Sequence, residues 1–362
     1  MKIRNMFYAG VEVDGNIYFS EHILNAIFKQ NRETGELTYL GTVSENKQSV
    51  LHNKAIHYKN RIYFIPALGD YIAKLSLENE SISTIAVPTT GHKCSTNKFI
   101  DAVVDGKAAW LIPMGYDALV HLDMETDELT SYANWPEEIK WKNEGFLMFG
   151  SGILVSELIC LCPCEGEYFV TFHTKTKEMK AWKWEYPPRT VCGVICHKNC
   201  VWILPGKKYP YITKYSLETG SVTKIEVKDE AGGLYPYSAT ALVGDTIVSA
   251  PYESRQWRMV NTLTDEVTYV PFKDDRIKQK YPYYQFVTVL SDGVKMSGNR
   301  QSAAHFISSD TQEISETDYQ MEERAWLFAF ASQYNASRDK SKKKMFYGEK
   351  IYSHLREDKE TV

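Results

Sequence analysis

The chain has 362 residues, a net charge of −4 and 43% apolar residues, the composition of a soluble globular protein. The acid excess removes the electrostatic basis for non-specific nucleic-acid binding, and no run of 18 or more apolar residues exists to cross a membrane as a helix. Seven cysteines, an odd number without the spacing of a disulfide framework, and residues 1–8 without an apolar signal core give a cytoplasmic expectation.

In chain order the elements repeat. Asn16-Ile-Tyr-Phe-Ser20, Asn60-Arg-Ile-Tyr-Phe-Ile-Pro66, Lys107-Ala-Ala-Trp-Leu-Ile-Pro113, Gly152-Ile-Leu-Val-Ser156, Asn199-Cys-Val-Trp-Ile-Leu-Pro205, Asp245-Thr-Ile-Val-Ser-Ala-Pro251 and Gly293-Val-Lys-Met-Ser297 each read as a short apolar strand leaving a turn. Their first apolar residues, Ile17, Ile62, Ala109, Ile153, Val201, Ile247 and Val294, stand 44 to 48 residues apart, the recurrence of β-propeller blades. Each is expected to be the second of four strands, A to D from the inside outward. Strand A should carry a small residue where the innermost strands crowd a central channel. Ala9, Ala55, Ala102, Gly145, Gly193 and Ala239 fit that expectation, and Val287 departs from it. The C–D hairpin turn returns as Glu33-Thr-Gly-Glu36, Glu125-Thr-Asp-Glu128, Glu218-Thr-Gly-Ser221 and Leu263-Thr-Asp-Glu266, with central residues suited to φ > 0. Asp14-Gly15, Asp105-Gly106 and Asp292-Gly293 mark tight A–B turns.

Residues 1–317 are therefore expected to form one all-β propeller of seven four-stranded blades, and residues 318–362 a helical tail. Met321-Glu-Glu-Arg-Ala-Trp-Leu-Phe-Ala-Phe330 and Gly348-Glu-Lys-Ile-Tyr-Ser-His-Leu355 have helical composition on either side of a polar, lysine-rich run. Over residues 6–317 the periodicity and turn chemistry resemble kelch-like and related seven-bladed propellers. The double glycine of kelch strands and the Gly-His…Trp-Asp pairing of WD40 blades are both missing, so the resemblance reaches the superfold and no single family. Some kelch-like propellers are sugar isomerases or oxidases; the resemblance implies that such chemistry is compatible with the fold, and fold alone does not select it.

Short A–B and C–D turns place the longer B–C and D–A connections on one face, where propellers build function. Tyr-Pro recurs in those connections, bringing Tyr209, Tyr211, Tyr235, Tyr237, Tyr281 and Tyr283 to one sector, with Tyr252 nearby and Arg255 and Arg300 at its fringe. An aromatic floor with cations at its edge suits an anionic saccharide or a protein segment, and proline lowers the ordering cost of such a surface. The same Tyr-Pro pairs also suit the ends of edge strands, a purely structural role. The leading expectation is a non-catalytic binding propeller whose partner is an anionic saccharide or a protein.

The alternative is a carbohydrate-active enzyme of epimerase or lyase type. Its acid and base would be Glu21 and Glu157, placed where four other repeats have proline, with His22 beside them. Cys160-Leu-Cys-Pro-Cys164 and Cys192 offer thiolates to one face, but their spacing is not that of a zinc site and buried small apolar side chains explain them equally. The expectation is no metal and no cofactor, since no phosphate-cradling glycine loop, nucleophile elbow or His-Glu-x-x-His stands in the sequence.

Overall fold

The computed structural model describes residues 2–3, 10–21, 26–43, 52–89, 97–139, 149–164, 166–184, 191–207, 209–228, 233–272, 284–298, 304–317 and 319–320. Within them the chain forms seven four-stranded antiparallel sheets, each built from four consecutive strands. Blade two shows the pattern: His52–Tyr58, Arg61–Pro66, Tyr71–Ser76 and Ile82–Ala86. Strands A of successive blades adjoin one another, and strand A of blade seven, Tyr284–Leu290, meets strand A of blade one, Val11–Val13, closing the ring. The seven-bladed propeller expected from the repeat is what forms.

One further sheet lies outside the blades. Lys2–Ile3 pairs antiparallel with Tyr319–Gln320, tying the segment before blade one to the segment after blade seven. The expected helical tail begins, at Tyr319–Gln320, as a strand; residues 321–362 lie outside the described residues.

Local chemistry explains the regularity. Every C–D turn holds one residue in the left-handed region: Gly35, Glu80, Asp127, Lys177, Gly220, Asp265 and Gln312, with φ between 54° and 73°. The residue four positions earlier caps the turn. Asn31 Oδ1 accepts from the Glu33 and Thr34 amides at 2.9 Å, and Asp123 and Asn261 do the same in blades three and six, the Asx geometry that substitutes for a backbone turn.

These left-handed residues also fasten neighbouring blades. Lys29 pairs with Glu80 at 2.5 Å, Lys74 with Asp127, and Lys214 with Asp265 at 2.6 Å, each joining strand C of one blade to the turn of the next. The Tyr63 hydroxyl donates to Asp127 at 2.9 Å. In blade three the arrangement inverts: Lys177 of blade four stands 4.7 Å above the Trp110 ring, a cation–π contact in place of an ion pair.

The core lies between blades. Six apolar clusters each span one junction, from blades one and two (Tyr18, Ile27, Ile62, Phe64) round to blades six and seven (Trp257, Met259, Tyr284, Met296). At the closing junction of blades seven and one the described contacts are polar. Arg32 bonds Glu12 at 2.8 Å and both Asp292 oxygens at 2.7 and 2.8 Å, Glu12 accepts the Ser291 amide at 2.6 Å, and buried Lys295 donates to Gln30 at 2.8 Å.

Two features of the expected register change. In blade four, Phe149–Val155 is strand A and Leu158–Pro163 is strand B. The residue of that strand B in register with Ile62 is Ile159, and Gly152-Ile-Leu-Val-Ser156 spans strand A and its turn. Both strands of a buried hairpin read as short apolar runs, so periodicity alone could not choose between them. The innermost positions equivalent to Ala55 are Gly10, Ala102, Gly152, Val194, Thr240 and Val287. Gly193 and Ala239 stand one step away, while Ala9 and Gly145 lie outside the described residues. Crowding at these strands is real. A Cβ on Gly193 would come 2.6 Å from Thr240 Cβ, and one on Gly152 would come 2.8 Å from Ile112 Cδ1.

Candidate functional site on the loop-rich face

Strand A begins with a bulge in blades two to seven: the ladder steps from His52 to Lys54, Phe99 to Asp101, Phe149 to Ser151, Val191 to Gly193, Tyr237 to Ala239 and Tyr284 to Phe286. The extra residue reaches the next blade. Asn53 donates to the Phe99 carbonyl at 2.8 Å, Ser238 donates to the Tyr284 carbonyl, and a Cβ on Gly150 would sit 2.6 Å from the Val191 carbonyl. Strand B ends opposite the first residue of strand A, at Pro66, Pro113, Pro163, Pro205 and Pro251, a strand end where the missing N–H costs nothing. This frame positions the side chains at the inner end of the face.

On blades five and six the structure brings part of the expected aromatic sector together. The rings of Tyr209 and Tyr211 meet edge to face at 6.0 Å, Lys224 Nζ lies 5.4 Å from the centre of the Tyr211 ring, and Lys207 Nζ lies 5.2 Å from that of Tyr235. Tyr235 is 37% exposed. Its loop is braced by a residue that sequence reasoning missed: Glu253 accepts the Tyr235 amide at 2.9 Å on its carboxylate, gives its own amide to the Tyr235 carbonyl at 3.0 Å, and accepts the Gly233 amide on its carbonyl at 2.6 Å. Tyr252 donates its amide to Pro236 at 2.8 Å and is partly buried; Arg255 is exposed. The acid in Tyr-Glu-Ser-Arg, directly after Pro251, was the available signal for this brace.

Tyr237 does not belong to the displayed surface. It is 2% exposed and lies beneath Arg258, whose guanidinium carbon is 4.2 Å from the ring centre. Arg258 in turn donates to the Pro205 carbonyl at 3.1 Å and to Ser249 Oγ at 3.3 Å. Tyr237 is the first residue of strand A, where the next two blades round the ring from blade two hold Phe99 and Phe149, and the interior claims it for the same reason. Tyr281, Tyr283 and Arg300 lie outside the described residues.

The two carboxylates of the enzyme alternative part company. Glu21 is fully buried at the strand-B end of blade one, the place expected. Glu157 is in the A–B turn of blade four, after Ser156 with φ 53°, and so at the opposite end of the ring. It is paired with Lys175, whose bond holds its carboxyl below the ordinary range. The register change that moves Ile153 to strand A moves Glu157 with it, and Pro163 takes the proline position. His22 lies outside the described residues.

The cysteines also fall differently. Cys160 and Cys162 are on strand B of blade four rather than in a loop. Burial pushes the Cys160 thiol up to about 11 and the Cys162 thiol higher still, with neighbouring cysteines adding to both, which keeps both protonated in this environment. Among the described residues no group of three or more His, Cys, Asp or Glu could hold a metal ion.

The junction of blades one and two holds a constellation that the repeat does not predict. Ser20 Oγ and His52 Nδ1 lie 3.0 Å apart, and Ser20, Glu21 and His52 are all buried. The His52 ring packs against Phe64 with centroids 5.9 Å apart. Burial drives its imidazole down to about 3, so it is neutral at any physiological pH.

No protein-family model and no curated protein matches this sequence. Solved structures match the fold. PorZ, a surface component of the type-IX secretion system of Porphyromonas gingivalis, aligns with a TM-score of 0.59 at 11% identity, over 88% of this chain and 38% of its own. The extracellular domain of a putative hybrid two component system from B. thetaiotaomicron aligns with a TM-score of 0.58 at 14% identity, over 85% of this chain and 40% of its own. This chain therefore spans about two fifths of the length of those two proteins. A putative 6-phosphogluconolactonase from Bacteroides fragilis aligns with a TM-score of 0.58 at 10% identity, over 88% and 95%. At these identities the likeness is one of fold: a seven-bladed propeller.

Proposed function

We propose that the protein is a binding propeller that presents the loop-rich face of blades five and six to an anionic ligand of the saccharide class. The observation that carries this reading is Lys207 over the exposed ring of Tyr235, next to the Tyr209–Tyr211 pair and Lys224. An exposed aromatic ring takes the apolar face of a sugar, and the flanking ammonium groups take a carboxylate or phosphate. The Glu253 brace favours binding because the loop is ordered before the ligand arrives. Surface and extracellular domains among the structural neighbours are compatible with display to a ligand. Free thiols at all six described cysteines support a reducing compartment, which fractionation of the native host tests directly. The enzyme alternative loses its pair of carboxylates on one face, since Glu157 stands at the other end of the ring.

The experiment is a thermal-shift series with glucuronate, galacturonate, glucose 6-phosphate and UDP-glucose. A ligand specific to the folded state stabilises it by RT ln(1 + [L]/Kd) and so raises the midpoint. Wild type is expected to respond to at least one of them, and Lys207→Glu with Tyr235→Ala to lose the response while melting as before. A double variant that keeps the response refutes the assignment of the site. A wild type silent to all four moves the ligand from saccharide to protein.

A further inference from the structure

Strand register makes one position comparable in every blade: the residue on strand C that pairs with Ile17, Ile62 and their equivalents on strand B. In six blades it is Gln30, Leu75, Leu122, Phe172, Val260 or Ile307, and each is buried. In blade five it is Tyr215, which is 39% exposed. The strand-D partner of Tyr215, Val222, is 41% exposed, while the strand-D partners of the other six are buried or half-buried. One apolar row, repeated seven times, is thus open at a single place.

The cause lies in blade four. This row faces the preceding blade, whose strand B covers it with the residue one step further along. Tyr18 packs with Leu75, Tyr63 with Leu122, Trp202 with Val260, and Trp110 meets the Phe172 ring at 4.9 Å. Val248 and Met259 pack with Ile307, and Lys295 reaches Gln30. For blade five that covering residue is Cys160, which is far smaller than a ring. The clasp beside it is missing too. Lys29, Lys74 and Lys214 pair with an acid in the next turn, but here the two places hold Thr171 and Gly220. The junction of blades four and five is therefore closed only in its inner half, by Cys162, Val194, Val201 and Ile203.

We infer that the outer half of this junction is a self-association surface, on which two copies of the chain pair about a two-fold axis, Trp182 of each covering Tyr215 and Val222 of the other. Trp182, on strand D of blade four, pairs with Phe169 and shares the face of Cys160 and Thr171. It is 49% exposed, and its Nε1 donates to Thr171 Oγ1 at 2.8 Å, so the indole is held at the edge of the open row without closing it. A tryptophan is also the side chain that covers the equivalent row in blades four and six. The patch thus carries both an uncovered row and an exposed ring of the type that covers it elsewhere, the self-complementarity that an isologous contact requires. Charge agrees with an identical partner. The flanking Lys180 and Lys183 stand 3.3 Å from Glu178 and Glu167, so the rim is balanced and neither repels a second copy nor selects a charged protein. Exposed aromatic and aliphatic side chains inside such a rim are the usual centre of an interface. The surface lies on the outer wall near the C–D turns, so both loop-rich faces stay free for a ligand.

The test is sedimentation velocity on the full chain over a concentration series, for wild type, Val222→Glu, Trp182→Ala and Leu263→Glu. Wild type is expected to dimerise. Val222→Glu and Trp182→Ala are each expected to raise the dimer dissociation constant at least ~10-fold, as truncating or charging a central interface residue does. Leu263, exposed in the C–D turn of blade six, lies outside the patch, and Leu263→Glu should dimerise as wild type does. Val222→Glu alters an exposed strand-D side chain, so its monomer should melt cooperatively, which keeps loss of the dimer distinct from loss of the fold. Lysine cross-linking of mixed light and heavy-isotope copies locates the contact, with Lys180 or Lys183 joined between copies as the expected product. A wild type that stays monomeric up to about 100 μM overturns the inference. So does a dimer that persists in both Val222→Glu and Trp182→Ala, or one whose cross-links between copies all lie elsewhere. Lys207→Glu with Tyr235→Ala leaves dimerisation unchanged, which separates this surface from the proposed ligand site.

Discussion

Removing the Arg32 side chain should weaken the ring at its closing junction. Arg32 spans blades one and seven through a bidentate contact to Asp292 and a bond to Glu12, and Glu12 holds the Ser291 amide. The Asp292 side chain is 57% exposed, so its pair with Arg32 is worth at most ~1 kcal/mol. The Glu12 side chain is 13% exposed, and a charge-assisted hydrogen bond there is worth about 1.5–2 kcal/mol. Arg32→Ala therefore costs about 2–3 kcal/mol. With an unfolding entropy near 2.1 cal/mol/K per residue over roughly 300 ring residues, that is a fall of ~4 °C in the melting midpoint.

The pH dependence fixes the mechanism. Burial alone would raise the Glu12 pKa, but the bonds from Arg32 and Ser291 outweigh it and hold it below 4.5. A carboxylate lowered in the folded state contributes stability that is present above its unfolded pKa and is lost as pH falls through the folded value. The gap between wild type and Arg32→Ala, read by calorimetry, should therefore be full at pH 7 and shrink below the unfolded Glu12 pKa. Lys59→Ala removes an exposed pair with Glu125 and serves as the control with no expected change. A gap that is absent at pH 7, or that persists unchanged in acid, refutes a charge-held closing junction.

Two further outcomes follow from the geometry. Gly193→Val places a branched side chain 2.6 Å from Thr240 at the crowded inner strands; it should lower the denaturation midpoint sharply in urea, and Thr240→Gly should recover part of the loss. Cys162 is buried with its thiol pushed up, so native protein should leave it unalkylated by iodoacetamide at pH 8, and denaturant should expose it to full labelling. Rapid native labelling of Cys162 would show that blades four and five part more readily than their packing implies.

The sequence by itself determined the architecture. Seven recurrences of a short apolar strand and four of a Thr-Gly or Thr-Asp turn report local needs, a buried strand and a left-handed turn residue, and both are satisfied within a few residues of chain. The same locality explains the slip in blade four, where Gly152-Ile-Leu-Val-Ser156 and Leu158-Ile-Cys-Leu-Cys-Pro163 are equally strand-like and only pairing decides which lies innermost. Tyr235 and Lys207 were within reach because Tyr-Pro and the basic residues are visible along the chain; that Tyr237 turns inward under Arg258 was not, since its burial depends on a strand 21 residues further on. Ser20, Glu21 and His52 were legible only in part. Glu21 stands out against the prolines once the repeats are aligned, but His52 becomes exceptional only when register places it at the position of Phe99 and Phe149. Tertiary structure alone decides which residues share a junction, because that relation joins two blades whose partners lie some 30 residues apart in the chain and is set by ring closure, which no local pattern encodes.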